Sequence, residues 1–304
     1  MGKVAFVFPG QGSQQVGMGG ELLEDAEVAE LAGVCGEAAG IDLRHLLTSA
    51  DDDELRLTTN AQPALLFVGL ALARLLARRG IRPDAAAGHS VGEYTALCAA
   101  QALSPEAAVK AVVERGRAMA DAAPPGTSSM AAVLGLDAEA VEAALIGVPD
   151  VWPANYNTPT QTVIAGTMLG LERGAERLKE AGARRVVGLN VAAAFHTPLM
   201  EPAGTALRSL LDMLQWEEPR VPVVANVSAE PYGEASTIPV ILERQLSSPV
   251  RWAACVARLR ELGCDTFVEL GPKRALTGMM RELAPDATAL AVATPSAAEQ
   301  VPLP

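Results

Sequence analysis

Apolar and polar positions along this chain fall into two rhythms: short unbroken apolar runs, and longer stretches with helical spacing. Lys3-Val4-Ala5-Phe6-Val7-Phe8 is the first unbroken run, and it predicts a strand buried on both faces of a parallel sheet. It stops at Pro9-Gly10-Gln11-Gly12-Ser13-Gln14, a loop of small residues and amides at the strand's carboxyl end, where open α/β sheets bind ligands. Residues 21–40 read as an acidic, alanine-rich helix, with a short apolar segment at 41–47. Asp51-Asp52-Asp53-Glu54 reads as a helix start whose charges the helix dipole favours, rather than as a metal site. An apolar helix over 60–79 leads to a second buried strand over 81–87, and a further helix is expected over 105–123.

The rhythm changes at Ala122-Ala123-Pro124-Pro125-Gly126-Thr127. Beyond it come a strand at 130–134, a helix at 137–145 with Asp137 as N-cap, strands at 151–156 and 161–165, a helix at 168–181 and a strand at 184–189. That order is the split βαββαβ unit of ferredoxin-like folds. The chain returns at Val191-Ala192-Ala193-Ala194-Phe195-His196-Thr197-Pro198. Helices are then expected over 199–214, 238–245 and 248–262, and strands over 221–226 and 266–270. After Gly271-Pro272-Lys273 comes a last helix, and a polar, proline-bearing tail from Thr294 is expected to fray. The pattern predicts an α/β protein with a discontinuous large subdomain, 1–123 and 191–304, built on a parallel sheet. The small subdomain, 124–190, is inserted over that sheet's carboxyl edge.

Composition narrows the class. Half of the 304 residues are hydrophobic but only 4% are aromatic, so the core must be built mainly from Ala, Val and Leu. No stretch reaches the roughly 18 uninterrupted apolar residues of a membrane helix, the longest (63–73) ending at Arg74. Residues 1–6 run straight into strand pattern, without the apolar region and cleavage site of a signal peptide. Cys35, Cys98, Cys255 and Cys264 lack metal or redox spacing, which suits reduced thiols in the cytoplasm. A net charge of −12 argues against nonspecific nucleic-acid binding. These features together predict a soluble cytoplasmic protein, without membrane or nucleic acid as partner.

The candidate chemistry centres on Gly88-His89-Ser90-Val91-Gly92, which follows a strand and precedes an alanine-rich helix. Gly-x-Ser-x-Gly in that context is a nucleophile elbow. The turn presses together the residues two before and two after the serine, and neither has room for a side chain. A serine hydroxyl needs a base, and the chain has only three histidines. His45 sits within a helical segment, and His89 adjoins Ser90 and points to the opposite face. His196, where the chain re-enters the cleft, is the candidate base. Asp212, Glu230, Asp265, Glu269 or a backbone carbonyl could orient it. An elbow supplies one oxyanion N–H from the residue after the nucleophile, here Val91, and the Gly10-Gln11-Gly12 loop is the natural source of a second. Arg115 and Arg117 would be surface residues unless one binds a substrate carboxylate bidentately.

Several stretches together resemble the malonyl-CoA:acyl-carrier-protein transacylases and the related acyltransferase domains of polyketide synthases. They are Phe8-Pro9-Gly10-Gln11-Gly12-Ser13-Gln14, Thr59-Asn60-Ala61-Gln62-Pro63-Ala64-Leu65, residues 87–94, Glu114-Arg115-Gly116 and Asn155-Tyr156-Asn157. Ala194-Phe195-His196-Thr197, residues 244–250 and Leu276-Thr277-Gly278 complete the set, in family order over nearly the whole chain. The resemblance implies an α/β-hydrolase-like large subdomain with a ferredoxin-like insert. It implies that Ser90 is acylated with His196 as its base, and that Gln11 and Val91 supply backbone N–H groups to the oxyanion. It further implies that Arg115 pairs with the malonyl carboxylate, that the Gln245 carbonyl orients His196, and that Gln62 and Asn155 line the acyl pocket and cleft wall. Phe195 in the Ala-Phe-His form resembles malonyl-selective members, since a bulky residue leaves little room for an α-methyl group.

The implied reaction is ping-pong transfer of malonyl from malonyl-CoA to the phosphopantetheine thiol of an acidic acyl carrier protein, in fatty acid or polyketide synthesis. It needs no metal or redox cofactor. One departure stands out: Gly271-Pro272-Lys273-Arg274 replaces the family's glycine-rich Gly-Pro-Gly turn, putting two cations where a carrier or CoA phosphates would approach. The other readings of the elbow are a serine esterase or thioesterase, or a trans-acting acyltransferase with an unusual acyl donor.

Overall fold

The computed structural model describes residues 2–302 apart from Pro125 and Ala192, so those two positions in the expected boundary and return stretches, and Leu303 and Pro304 in the tail, lie outside the described residues. Nine strands are described: β1 (Lys3–Phe8), β2 (Ala85–Gly88), β3 (Ser128–Leu134), β4 (Val151–Thr158), β5 (Gln161–Thr167), β6 (Arg185–Gly188), β7 (Val223–Val224), β8 (Cys264–Leu270) and β9 (Thr288–Val292). Five form a parallel sheet in the order β7-β2-β1-β8-β9. The other four form an antiparallel sheet in the order β4-β5-β3-β6.

Strand β1 is central because both its faces are apolar. Phe6 and Phe8 pack into one core cluster, while Ala5 and Val7 pack on the opposite side with Trp252 and Phe267. Its neighbour β2 is almost all alanine, which lets the helix Gly92–Ala99 lie close to the sheet, while the long helix Thr58–Arg78 packs on that helix and on β8. The Thr58–Arg78 helix is by length and composition apolar enough to cross a membrane, although no uninterrupted apolar run in it is that long. Here 72% of its apolar window is buried within the protein.

The antiparallel sheet is the βαββαβ unit, with the helices Ala138–Leu145 and Met168–Glu180 between its strands. Asp137 caps the first of them, accepting from the Ala140 N–H at 2.8 Å. The unit is tied to the larger sheet's side of the molecule by main chain. Tyr156 N–H donates to the Val250 carbonyl, and Val250 N–H to the Ala154 carbonyl, each at 2.9 Å. Thr158 and Thr160 add hydroxyl bonds to Glu282 at 3.0 and 2.7 Å.

Three expectations need correction. The helix expected over 21–40 is broken by Asp25, which ends a 3-10 turn (Glu21–Glu24) and caps the helix Ala26–Ala39 through the Val28 N–H. The sheet does not end at β8: the edge strand β9 extends it, a short alanine-rich apolar run, only partly buried, missed beside the polar, proline-bearing tail. The tail from Thr294 is not frayed in the residues described. It forms the helix Pro295–Gln300, capped by Thr294, with Ala298 and Val301 buried and Arg79 bonded to the Ala298 carbonyl.

The elbow between β2 and the helix Gly92–Ala99 is as crowded as the motif requires. A Cβ on Gly88 would lie 1.8 Å from the Gly92 carbonyl carbon, and one on Gly92 would lie 2.2 Å from the Phe8 carbonyl oxygen. Gly92→Ala should therefore cost about 3 kcal/mol or more, the upper end of overpacking penalties. An unchanged urea midpoint in that variant would contradict this packing.

Candidate active site

Both loops that leave the centre of the parallel sheet converge at its carboxyl edge. Strand β1 runs into Gly10-Gln11-Gly12, and β2 runs into Ser90. Gly10 is pressed against the elbow: a Cβ there would lie 2.7 Å from the His89 carbonyl oxygen. Ser90 sits at φ 56°, a left-handed conformation that L residues avoid, and a side chain pins it there. Asn226 accepts from the Ser90 N–H at 2.8 Å and donates to the Gly88 carbonyl at 2.7 Å, so one amide clamps both sides of the turn.

His196 is likewise held at positive φ, 61°, and its ring is enclosed between two partners. Nε2 lies 2.7 Å from Ser90 Oγ, and Nδ1 lies 2.9 Å from the Gln245 main-chain carbonyl. A carbonyl can only accept, so Nδ1 carries the proton and the Nε2 lone pair faces the serine. Burial, reinforced by the Arg115 cation, holds the His196 ring down to about 3. None of the acids weighed as orienting groups reaches it. Asp212 pairs with Arg208, Glu230 with Arg258, Asp265 bonds Thr266, and Glu269 accepts from the Leu276 and Thr277 N–H groups.

Arg115 is 1% exposed, against the expectation for an arginine read from sequence alone. Its guanidinium donates to Gln62 Oε1 at 2.7 Å, to Gln245 Oε1 at 3.0 Å and to Ser90 Oγ at 3.2 Å, and it lies over the Tyr94 ring. Its Nε has no partner among the described residues. Every direct partner is neutral, so the cation is held without being quenched. Arg117, two residues on, is exposed and pairs with Glu114.

These groups line a cavity of about 200 Å³ whose walls include Gln11, Val91, Met119, Met130, Asn155 and Phe195. The Gln11 and Val91 N–H groups have no acceptor among the described residues. Gln62 is corrected: it is fully buried behind Arg115 and braces the guanidinium instead of lining the cavity. His89 faces away from the serine, bonding Asn157 at 3.0 Å and packing near the Trp252 ring. His45 is half-exposed and pairs with Glu54. A larger groove of about 710 Å³, between the helix Ala275–Leu283 and β9, contains none of these groups.

A family model described as "Acyl transferase domain" matches residues 5–295. The chain belongs to the acyl transferase family. It is 43% identical to the malonyl CoA-acyl carrier protein transacylase of Bacillus subtilis (strain 168), over 98% of this chain and 96% of that one. An acyl carrier protein S-malonyltransferase from Vibrio cholerae superposes with a TM-score of 0.95 at 38% identity, covering 99% of this chain and 100% of that one. A malonyl-transacylase solved in complex with a type II polyketide synthase acyl carrier protein gives 0.94 at 36% identity, with 98% of each chain covered.

Sequence reasoning about this acyl transferase missed three residues that build its site: Asn226, Tyr232 and Glu93. Glu93 is fully buried, accepting from Tyr232 Oη, the Asn226 N–H at 3.1 Å and Gln245 Nε2 at 2.7 Å. Burial pushes its carboxyl up to about 7. The only signal was an acid in the first turn of an otherwise apolar helix, which the dipole alone accounts for. Among the described residues no group of three or more His, Cys, Asp or Glu could hold a metal ion.

The histidines should titrate apart. Glu54 holds His45 above its ordinary value, whereas burial holds His89 and His196 below it. Imidazole NMR between pH 5 and 8 should show only His45 titrating at or above the ordinary value of about 6.5; a His196 midpoint there would refute its desolvation. The unfolded His196 binds a proton below about 6.5 that the folded one refuses, so its share of stability is lost as pH falls. Glu93 acts oppositely, binding a proton when folded that it releases when unfolded, so its share is lost as pH rises towards about 7.

Proposed function

We propose that this chain moves a malonyl group from CoA to the phosphopantetheine thiol of an acyl carrier protein, for fatty acid or polyketide synthesis, through an ester on Ser90. The supporting observation is one shared oxygen. Ser90 Oγ lies 2.7 Å from His196 Nε2 and 3.2 Å from a guanidinium nitrogen of Arg115. A base and a buried cation on the same hydroxyl suit an acyl group that carries its own carboxylate.

His196 takes the Ser90 proton as Oγ attacks the thioester carbonyl. The oxyanion is met by the Gln11 and Val91 N–H groups, each such donor contributing about 3–4 kcal/mol to the barrier reduction. The C–S bond then breaks, and His196 returns the proton to the departing CoA sulfur. In the second half the carrier's thiol gives its proton to His196 and attacks the ester, and Ser90 leaves with that proton. The Gln245 carbonyl keeps His196 in the working tautomer throughout.

Arg115 pairs with the malonyl carboxylate, braced by Gln62, and so favours diacids over simple acyl groups. Phe195 and Asn155 form the walls, with Phe195 leaving little room for the α-methyl group of methylmalonyl. Lys273 and Arg274 are exposed in the loop that leads to the cavity-lining Ala275 and Leu276, and they contact the acidic carrier or CoA phosphates. We take residues 1–123 and 191–304 as the catalytic subdomain, with 124–190 as its ferredoxin-like insert. A cytoplasmic location accords with four buried free cysteines and an apolar helix enclosed by the fold. The CoA thioester is a substrate, and no resident cofactor enters the scheme.

Intact-protein mass after brief incubation with malonyl-CoA, acetyl-CoA and methylmalonyl-CoA tests this. A malonyl adduct should form on the wild type and be absent from Ser90→Ala. Arg115→Ala should lose about 3–5 kcal/mol of malonyl transition-state binding, roughly 100-fold or more in kcat/KM, while the relative yield of acetyl adduct rises. Steady release of malonate without a carrier would make the protein a hydrolase instead.

A further inference from the structure

Two carboxylates among the described residues are 0% exposed, Glu93 and Glu269. Glu269 has a structural task, capping the helix Ala275–Leu283 through the Leu276 and Thr277 N–H groups. Glu93 is not used by the reaction above, yet it sits one residue away from the reacting groups in every direction that matters. Its Oε2 accepts from Gln245 Nε2 at 2.7 Å. The other Nε2 hydrogen goes to the Ser90 main-chain carbonyl at 2.9 Å. With both amide hydrogens committed, the Gln245 side chain can face only one way, and its oxygen meets Arg115 at 3.0 Å. The same residue's main-chain carbonyl holds His196.

The spacing has an electrostatic consequence. A carboxylate bonded directly to Arg115 would compete with the substrate's own carboxylate for the guanidinium. Here one amide stands between them, so Glu93 offsets the buried cation through space and leaves its donors to neutral oxygens that an incoming acid can outbid.

We propose that Glu93 is a positioning residue for acyl transfer. By locking the Gln245 side-chain amide it fixes the Arg115 guanidinium, and the preference for a dicarboxylic acyl group depends on it. The inference rests on the acyl-transfer reading above.

Glu93→Gln keeps the shape but can turn an N–H toward the Gln245 amide, whose flip would then present a donor to Arg115. The ratio of malonyl-CoA to acetyl-CoA kcat/KM for Ser90 acylation should fall about tenfold, mainly through the malonyl KM, with the acetyl value within about threefold of wild type. Adding Glu93→Gln to Gln245→Leu should change the ratio little further, since the path is already cut. A role confined to stability would lower both substrates in parallel, and that result overturns the proposal, as does independent action of the two substitutions. If Glu93→Gln does not accumulate folded, by its thermal melt, Gln245→Leu alone must still lower the ratio; an unchanged ratio overturns the proposal. A wild type that takes no malonyl group overturns the functional reading together with this inference, whereas a malonyl-selective wild type with a selective Glu93→Gln variant overturns the inference alone.

Discussion

The contact on which the rest of the site depends is the meeting of Gly88 and Gly92, where backbone touches backbone with no space for a β-carbon. That contact forces Ser90 into a left-handed conformation and turns its hydroxyl out of the sheet. It also strips the Val91 N–H of any internal acceptor among the described residues. A conformation of this kind costs of order 1–3 kcal/mol and persists only where the surroundings over-determine it. Asn226 does so from a strand end far away in sequence, bonding the turn on both sides. Strands β1 and β2 pair in parallel, which carries the amide-rich loop and the serine to the same edge.

Around the serine, charge is handled by neutral groups. Amide oxygens of Gln62 and Gln245 receive the guanidinium, and a main-chain carbonyl rather than an acid receives the imidazole. A carbonyl does not titrate, so the support under His196 is the same at every pH. It also stabilises an imidazolium less than a carboxylate would, leaving a weak base. A weak base suffices for a thioester, whose sulfur leaves far more readily than an amine.

The large features were legible because they are local. An unbroken apolar run, a proline-rich change of rhythm and a βαββαβ order each have short-range causes, and the elbow is five consecutive residues. The histidine could be reached by elimination among three. What could not be read was what depends on distant partners. Gln62 belongs to the Arg115 brace only because the helix Pro105–Asp121 packs against the helix Thr58–Arg78. The acids weighed for His196 are all spoken for by neighbours that no spacing rule reveals. Strand β9 was missed because its short apolar run is rich in alanine, which suits a helix at least as well as an edge strand, and only pairing with β8 decides between them.

The main-chain bonds between β4 and Val250 join the antiparallel sheet to the body of the protein as one strand is joined to the next. The two walls of the cleft thus share a main-chain seam. The reactive oxygen is only partly exposed, in a cavity of about 200 Å³ that is far too small to admit a folded macromolecule. Only a group carried on a slender chain arrives, so reach becomes a selector in its own right. Slenderness is tested at the mouth before any chemistry is read at the tip.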